Sequence, residues 1–372
     1  MKVLLIGNYA PDQQHSMLGF VQALHAGLCE RGVDARILAP QSVAGRLGIP
    51  KMGKWLGYID KLAIFPRTLQ RAMAWADVVH ICDQGNAFYT RYLAKKPHLL
   101  TCHDLLAVRS AQGELADWKT KVSGRMYQRL ILNGVKRAGW IACVSETTQQ
   151  DILRLAHADA DHTCVIYNGF YRKYERMKQE QCNALFTDAA IPLNKPFALH
   201  IGGNQPYKNR KAVLSIYREL LALPAGNGLS LIMAGKPFTP EMRGYVNVHG
   251  LSDTVRELTN ADDNLIRALY SRASALIFPS LYEGFGLPII EAQASGCPVF
   301  TSGRAPMTEV GGDAAVYFDP TQPKQAAQII ASNLETTDWM VAAGLENVKR
   351  FATDKMVDGY VQTYQRVMSG TE

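Results

Sequence analysis

No run of apolar residues in this chain approaches the roughly 20 needed to cross a bilayer. The apolar segment at its start, residues 3–7, is too short for a secretory leader, and no small-residue cleavage site follows it. A cytoplasmic chain that does not span membranes is expected. No CxxC pair occurs. The seven cysteines, Cys29, Cys82, Cys102, Cys143, Cys164, Cys182 and Cys297, are odd in number and scattered, and several lie in apolar strand-like runs. That pattern suits reduced core thiols better than a disulfide framework or a zinc site. Neither GxGxxG nor GxxxxGK[ST] is present, which weakens dinucleotide-dehydrogenase and P-loop readings. Repeats and low-complexity tracts are missing as well.

What is present has the composition of a globular protein: 372 residues, 47% hydrophobic and 20% charged. That length suits two Rossmann-sized domains of roughly 150–200 residues each. The net charge of +7 favours a polyanionic partner, whether nucleotide, nucleic acid or anionic lipid. Short apolar runs at 3–6, 35–38, 78–81, 99–102, 140–144 and 164–167 alternate with stretches long enough for helices, the rhythm of a parallel sheet. The rhythm lapses across residues 175–196 and restarts at 197–201, 229–233, 275–278 and 298–301. Two α/β domains are expected, 1–190 and 191–354, followed by a helix in 355–372.

The most informative stretch is PSLYEGFGLPIIEA, residues 279–292, directly after the run 275–278. A strand feeding a glycine-containing turn that opens a helix offers backbone N–H groups and a positive dipole end to an anion. Glu283 lies in that turn and Glu291 in the helix beyond it, so one carboxylate is placed for a sugar and the other for two ribose hydroxyls. The competing reading makes Glu283 a helix cap and Glu291 a solvated helical residue. The segment resembles the signature of glycosyltransferase family 4, in which two glutamates are separated by seven residues around EGFGLP. The match extends nearly throughout FPSLYEGFGLPIIEAQASGCPV. The resemblance implies that Glu283 contacts the donor sugar, that Glu291 binds the ribose, and that Gly284 and the amides of Phe285, Gly286 and Leu287 hold sugar and phosphate.

A second segment, HIGGNQPYKNRK at 200–211, begins at the end of a strand-like run. Gly202 and Gly203 permit close approach to a phosphate, and Lys208, Arg210 and Lys211 can neutralise a leaving diphosphate without a metal. An ordinary basic helix start is the alternative. It looks like the family's phosphate loop, with Lys208 at its phosphate lysine. Many members carry arginine where Gly203 stands, so Arg210 is expected to supply the second cation. In the first domain LLTCHD, 99–104, resembles the family's strand ending in a His-Asp pair, which implies that His103 lies near the reacting carbon and that Asp104 orients it. A structural strand-end histidine is the alternative. The first loop, from Gly7 to Ser16, lacks the glycine pair of many relatives, although Gly19 follows. CVSE at 143–146 and YNG at 167–169 serve equally as a helix cap and a turn.

Two basic stretches remain. Arg46, Lys51, Lys54, Lys61, Arg67 and Arg71 accompany Asp60 and are interleaved with Trp55, Leu56, Tyr58, Ile59 and Phe65; Lys119, Lys121, Arg125, Arg129, Lys136 and Arg137 accompany Asp117. Cations around aromatics suit an anionic membrane interface, and a solvated helix face over a core stripe is the alternative. No nucleic-acid reader module accompanies them, and nucleic acid is not an expected partner.

The resemblance implies a GT-B fold of two Rossmann-like domains facing a cleft, acceptor in the first and nucleotide sugar in the second, with the terminal helix returning to the first. The implied activity is retaining, metal-independent transfer of a sugar from a nucleotide diphosphate donor to a glycan or lipid-linked acceptor, with no cofactor. A nucleotide-sugar isomerase on the same fold and a noncatalytic sugar-nucleotide binding subunit are the rivals.

Overall fold

The computed structural model describes residues 1–47, 53–115 and 118–370. It divides into two compact units, Met1–Arg172 with Ala352–Glu372, and Lys173–Phe351. The first break therefore falls at Arg172 and not near residue 190. The reason is local: helix Gln179–Asp188, which the lapse in rhythm left before the boundary, packs on helix Asp263–Arg272 of the second unit.

The first unit holds six parallel strands, β1 (Lys2–Ile6), β2 (Asp34–Leu38), β3 (Val78–Ile81), β4 (His98–Cys102), β5 (Trp140–Cys143) and β6 (Thr163–Val165), ordered β2-β1-β3-β4-β5-β6. β3 and β4 are buried at every residue, as parallel strands covered on both faces must be. On one face pack Phe65, Leu69, Phe88, Tyr89, Ile131 and Val135. On the other, helix His15–Glu30 meets the terminal helix Thr353–Ser369, whose Met356, Val357, Tyr360, Tyr364 and Val367 join the core around Val3, Leu5 and Leu99. The two helices approach so closely that a Cβ on Gly27 would stand 2.5 Å from Val357 Cγ2. A buried polar chain fixes the terminal helix: His80 bonds Tyr364 Oη and Thr101 Oγ1, each at 2.7 Å, and Thr101 Oγ1 is 2.9 Å from Tyr360 Oη.

The second unit is also a six-stranded parallel sheet, β7 (Phe197–Gly202), β8 (Ser230–Gly235), β9 (Val255–Leu258), β10 (Ala275–Phe278), β11 (Val299–Ser302) and β12 (Val316–Phe318), ordered β12-β11-β10-β7-β8-β9. Among the cysteines, Cys29 is exposed on helix His15–Glu30, against the expectation of a core thiol, and Cys164 is half-buried. No helix among the described residues is long and apolar enough to cross a membrane.

Candidate active site

In the second sheet chain order reverses between β7 and β10, and ligands of open α/β sheets bind beyond the carboxyl ends of the strands at such a point. The two segments singled out by sequence leave the sheet there. Registered pairing of β7 with β10 covers Ala198 and Leu199; beyond it the His200 ring donates from Nδ1 to the Ile277 carbonyl at 2.9 Å. Burial pushes the His200 pKa down to about 3, so its ring is neutral.

The loops after these strands are stapled together. Leu281 N–H donates to Tyr207 O at 2.7 Å, and Asn209 Nδ2 donates to the carbonyls of Pro279 at 3.1 Å and Pro320 at 3.2 Å. This brings Lys208 Nζ to 2.8 Å from both oxygens of Glu283, above the rings of Tyr207 and Phe278. Glu283 is 9% exposed. It does not cap the following helix, Leu287–Ala294, whose N-cap is Gly286 at φ 107°, a left-handed conformation that favours glycine. Pro288 fits the first turn, where its missing N–H costs nothing. Phe285 is buried edge-on against Phe351, so this loop is anchored in the unit's core.

Arg210, expected as a second free cation, is buried. Its Nη1 donates to Asn204 Oδ1 and, at 2.7 Å, to the Lys236 carbonyl, which ties the loop containing Gly202 and Gly203 to the end of β8. Its Nε and Nη2 are buried with no partner among the described residues. Such atoms cost free energy unless an acceptor reaches them, and a phosphate is the acceptor whose geometry an arginine fork fits. Glu291 is half-buried on its helix and accepts from the Tyr270 hydroxyl at 3.0 Å. Tyr270, Asn209, Asn204 and His200 were not singled out by sequence. Of these, His200, Asn204 and Asn209 lie inside the 200–211 motif, which could have flagged them, and Tyr270 lies in neither motif.

In the first sheet the order reverses between β1 and β3. Asn8 beyond β1 donates to Asp83 beyond β3 and to Gln14, and Asp83 Oδ1 accepts from Gly85 N–H at 2.7 Å. His103 beyond β4 donates from Nε2 to the Cys82 carbonyl at 3.0 Å and packs against Phe20. Burial lowers its pKa, opposed by the Asp83 carboxylate. Asp104 Oδ1 accepts from the Leu106 N–H at 3.0 Å. Ser145 caps helix Glu146–Asp151, and Gly169 N–H donates to Met356 Sδ, so these two strand ends serve structure.

Of the first basic stretch, Lys61 is not an exposed cation: it is buried and paired with Asp12 at 2.8 Å. Asp60 is buried too, accepting from Tyr9 and the N–H groups of Val43, Ala44 and Gly45, and Leu56 and Phe65 belong to the core. Lys51, Asp117 and the Lys54 side chain lie outside the described residues. Arg46, Arg67 and Arg71 are exposed, as are Lys119, Lys121, Arg125, Arg129, Lys136 and Arg137. Contact between the Tyr58 and Tyr127 rings, 5.4 Å between centroids, sets helix Gly53–Ile59 beside helix Val122–Val135. Exposed Trp55, Ile59, Val122 and Met126 lie on these neighbours. Among the described residues no group of three His, Cys, Asp or Glu side chains is placed to hold a metal ion.

Comparison with known proteins accords with this architecture. Residues 183–344 match the family described as glycosyl transferases group 1, and residues 20–172 match glycosyltransferase family 4. The chain is 26% identical to O-antigen chain mannosyltransferase B of Escherichia coli, over 79% of this chain and 77% of that protein. It is 28% identical to the O-antigen chain mannosyltransferase RfbU of Salmonella typhimurium, over 62% of this chain and 61% of that one. A D-inositol 3-phosphate glycosyltransferase of Corynebacterium glutamicum is 24% identical over 71% of this chain and 64% of its own length. Among solved structures, sucrose-phosphate synthase of Thermosynechococcus elongatus superposes with a TM-score of 0.75 at 17% identity, covering 100% of both chains. HepE of Anabaena, in complex with UDP and glucose, superposes with a TM-score of 0.76 at 16% identity, covering 98% of this chain and 100% of that one. With both halves of the chain matched and two Rossmann-like sheets each carrying its strand-end motifs, the protein belongs to the family 4 glycosyltransferases of GT-B fold.

Proposed function

We propose that this glycosyltransferase moves a sugar from a nucleoside diphosphate donor, held by the second unit, to a hydroxyl of a glycan or lipid-linked acceptor served by the first, in synthesis of a cell-surface polysaccharide or glycolipid. The observation that carries the donor assignment is the Lys208–Glu283 pair at the strand-order reversal, one cation and one carboxylate held 2.8 Å apart. A sugar diphosphate separates them: the phosphate oxygens take Lys208 and the two unpartnered donors of Arg210, and the sugar hydroxyls donate to Glu283. Gly202, Gly203 and the amides from Phe285 to Leu287 line the same loops. HepE was solved with UDP and with UDP-glucose, which supports the nucleotide-sugar class, and the O-antigen mannosyltransferase relatives support a polysaccharide product.

Transfer with retention follows from attack on the face the phosphate leaves. The acceptor oxygen bonds to the anomeric carbon as its bond to the phosphate oxygen breaks, and the hydroxyl proton passes to the departing phosphate. Charge grows on that phosphate during the step, so Lys208 and Arg210 stabilise the transition state more than the ground state, in place of a metal. The resemblance of its strand end to the family's His-Asp pair assigns His103 to the transfer step. The exposed aromatic and aliphatic side chains on helices Gly53–Ile59 and Val122–Val135, among the cations of both stretches, suit a peripheral contact with an anionic membrane.

A thermal-shift screen of UDP- and GDP-sugars tests the donor class, since a ligand that binds only the folded chain raises its melting temperature by mass action. A hit is then assayed for consumption with and without added acceptor. Consumption without acceptor points to the isomerase, and binding without turnover against any acceptor points to a noncatalytic subunit; either outcome overturns the reading.

A further inference from the structure

Tyr270 lies on helix Asp263–Arg272 and is fully buried. Its ring meets Tyr174 edge-on, with centroids 6.1 Å apart, a contact phenylalanine would make equally well. The hydroxyl is the unexplained part. Burying one costs free energy unless it is hydrogen-bonded, and here the bond is to Glu291 Oε2 at 3.0 Å, from one helix to another. Burial, with the neighbouring carboxylate, pushes the phenol pKa well up, so the group remains a donor over any working pH.

A half-buried glutamate has three rotatable bonds, and immobilising such a side chain on binding costs rotamer entropy. A hydroxyl bonded to one oxygen meets that cost before the ligand arrives and fixes the plane of the carboxylate. We propose that Tyr270 is a positioning residue for nucleotide recognition, its hydroxyl holding the Glu291 carboxylate in the orientation that accepts the ribose diol. This rests on the ribose assignment of Glu291. It adds a residue outside both motifs, and it makes sugar-ring discrimination, not general affinity, the quantity Tyr270 controls.

The test uses UDP and GDP with their 2′-deoxy and 3′-deoxy forms, titrated calorimetrically into the intact chain. Wild type should bind the better ribonucleotide about tenfold more tightly than its deoxy forms, the scale of a hydrogen bond to a charged group. Tyr270→Phe should weaken the ribonucleotide about fivefold to tenfold while leaving the deoxy forms unchanged, so that discrimination collapses. Replacing Tyr270 with 4-aminophenylalanine, which keeps a donor at that point, should restore it. A residue that served packing alone would weaken all nucleotides alike, or none, and either pattern overturns the proposal. Discrimination lost in Glu291→Ala but kept in Tyr270→Phe also overturns it while sparing the ribose assignment. Wild type that does not discriminate removes that assignment, and the proposal with it.

Discussion

Glu283→Gln isolates one charge at the centre of the site without changing its shape. In the free protein both oxygens of Glu283 bond Lys208 Nζ at 2.8 Å, with the Lys208 side chain 19% exposed and that of Glu283 8% exposed. A diphosphate that recruits Lys208 must first take it from this carboxylate. Hydrogen bonds to charged groups contribute about 1.5–3 kcal/mol, and a neutral amide oxygen retains roughly half of that. The substitution should therefore lower the cost of freeing Lys208 by about 0.75–1.5 kcal/mol, a factor of roughly four to twelve in affinity. UDP or GDP alone should bind Glu283→Gln roughly four- to twelvefold more tightly than wild type, while transfer from the sugar nucleotide falls, because the sugar hydroxyls exchange a charged acceptor for a weaker neutral one. Lys208→Ala should bind more weakly than the Lys208→Ala, Glu283→Gln double variant, since it leaves an unpaired carboxylate facing the phosphates. Titration calorimetry on the four proteins closes the cycle. Unchanged or weaker nucleotide binding in Glu283→Gln would refute the competition between carboxylate and phosphate for Lys208.

Lys208→Ala should lower the rate with saturating donor and acceptor by about 10²–10³, on the scale of other preorganised charge-stabilising groups, and EDTA should leave wild-type transfer intact; activity lost to chelation and restored by magnesium or manganese would sink the metal-free step. His80 and His200, one in each sheet, both have pKa values pushed down by burial to about 3. Between that value and about 6.5 the unfolded chain binds more protons than the folded one, so stability rises with pH, and acidifying to pH 5 should remove about 2 kcal/mol for each histidine. Urea unfolding at pH 7 and pH 5 measures this, and equal stability at the two would contradict it. In vesicle sedimentation the protein should follow anionic and not neutral lipid, with binding lost in high salt and reduced in Trp55→Ala and Met126→Ala; equal binding to both lipids would remove the membrane contact.

Ten of the twelve strands among the described residues are legible because each is a short apolar run followed by a helical stretch. The two that are not, β9 and β12, are the edges of the second sheet. Val255-Arg256-Glu257-Leu258 carries charges in its centre, and Val316–Phe318 is three residues long, both ordinary for edge strands, which need burial on fewer sides. Helix Gln179–Asp188 precedes the expected boundary near residue 190 yet belongs to the second unit, because packing partners, and not composition, decide to which core a helix belongs. Site residues inside the two motifs could be named from local chemistry alone. Their pairing could not, since Lys208 and Glu283 are 75 positions apart and meet only where β7 and β10 lie side by side. Tyr270 was illegible for a different reason: one buried aromatic on a helix has no sequence mark to separate it from core, and its hydroxyl gains meaning only from the carboxylate beside it.

The return of residues 352–372 to the first unit makes the second an insertion within it, with consequences for the order of synthesis. When a ribosome has released residue 172, the sheet face around Val3, Leu5, Leu99 and Ile166 still awaits Met356, Val357, Tyr360 and Tyr364. His80 and Thr101 are likewise without their tyrosine partners. At about 5–20 residues per second the whole intervening unit takes roughly 10–40 s to emerge, ample time for its own sheet to form first. The part begun first is thus completed last, and an apolar face remains open to chaperones, or to another nascent chain, throughout that interval.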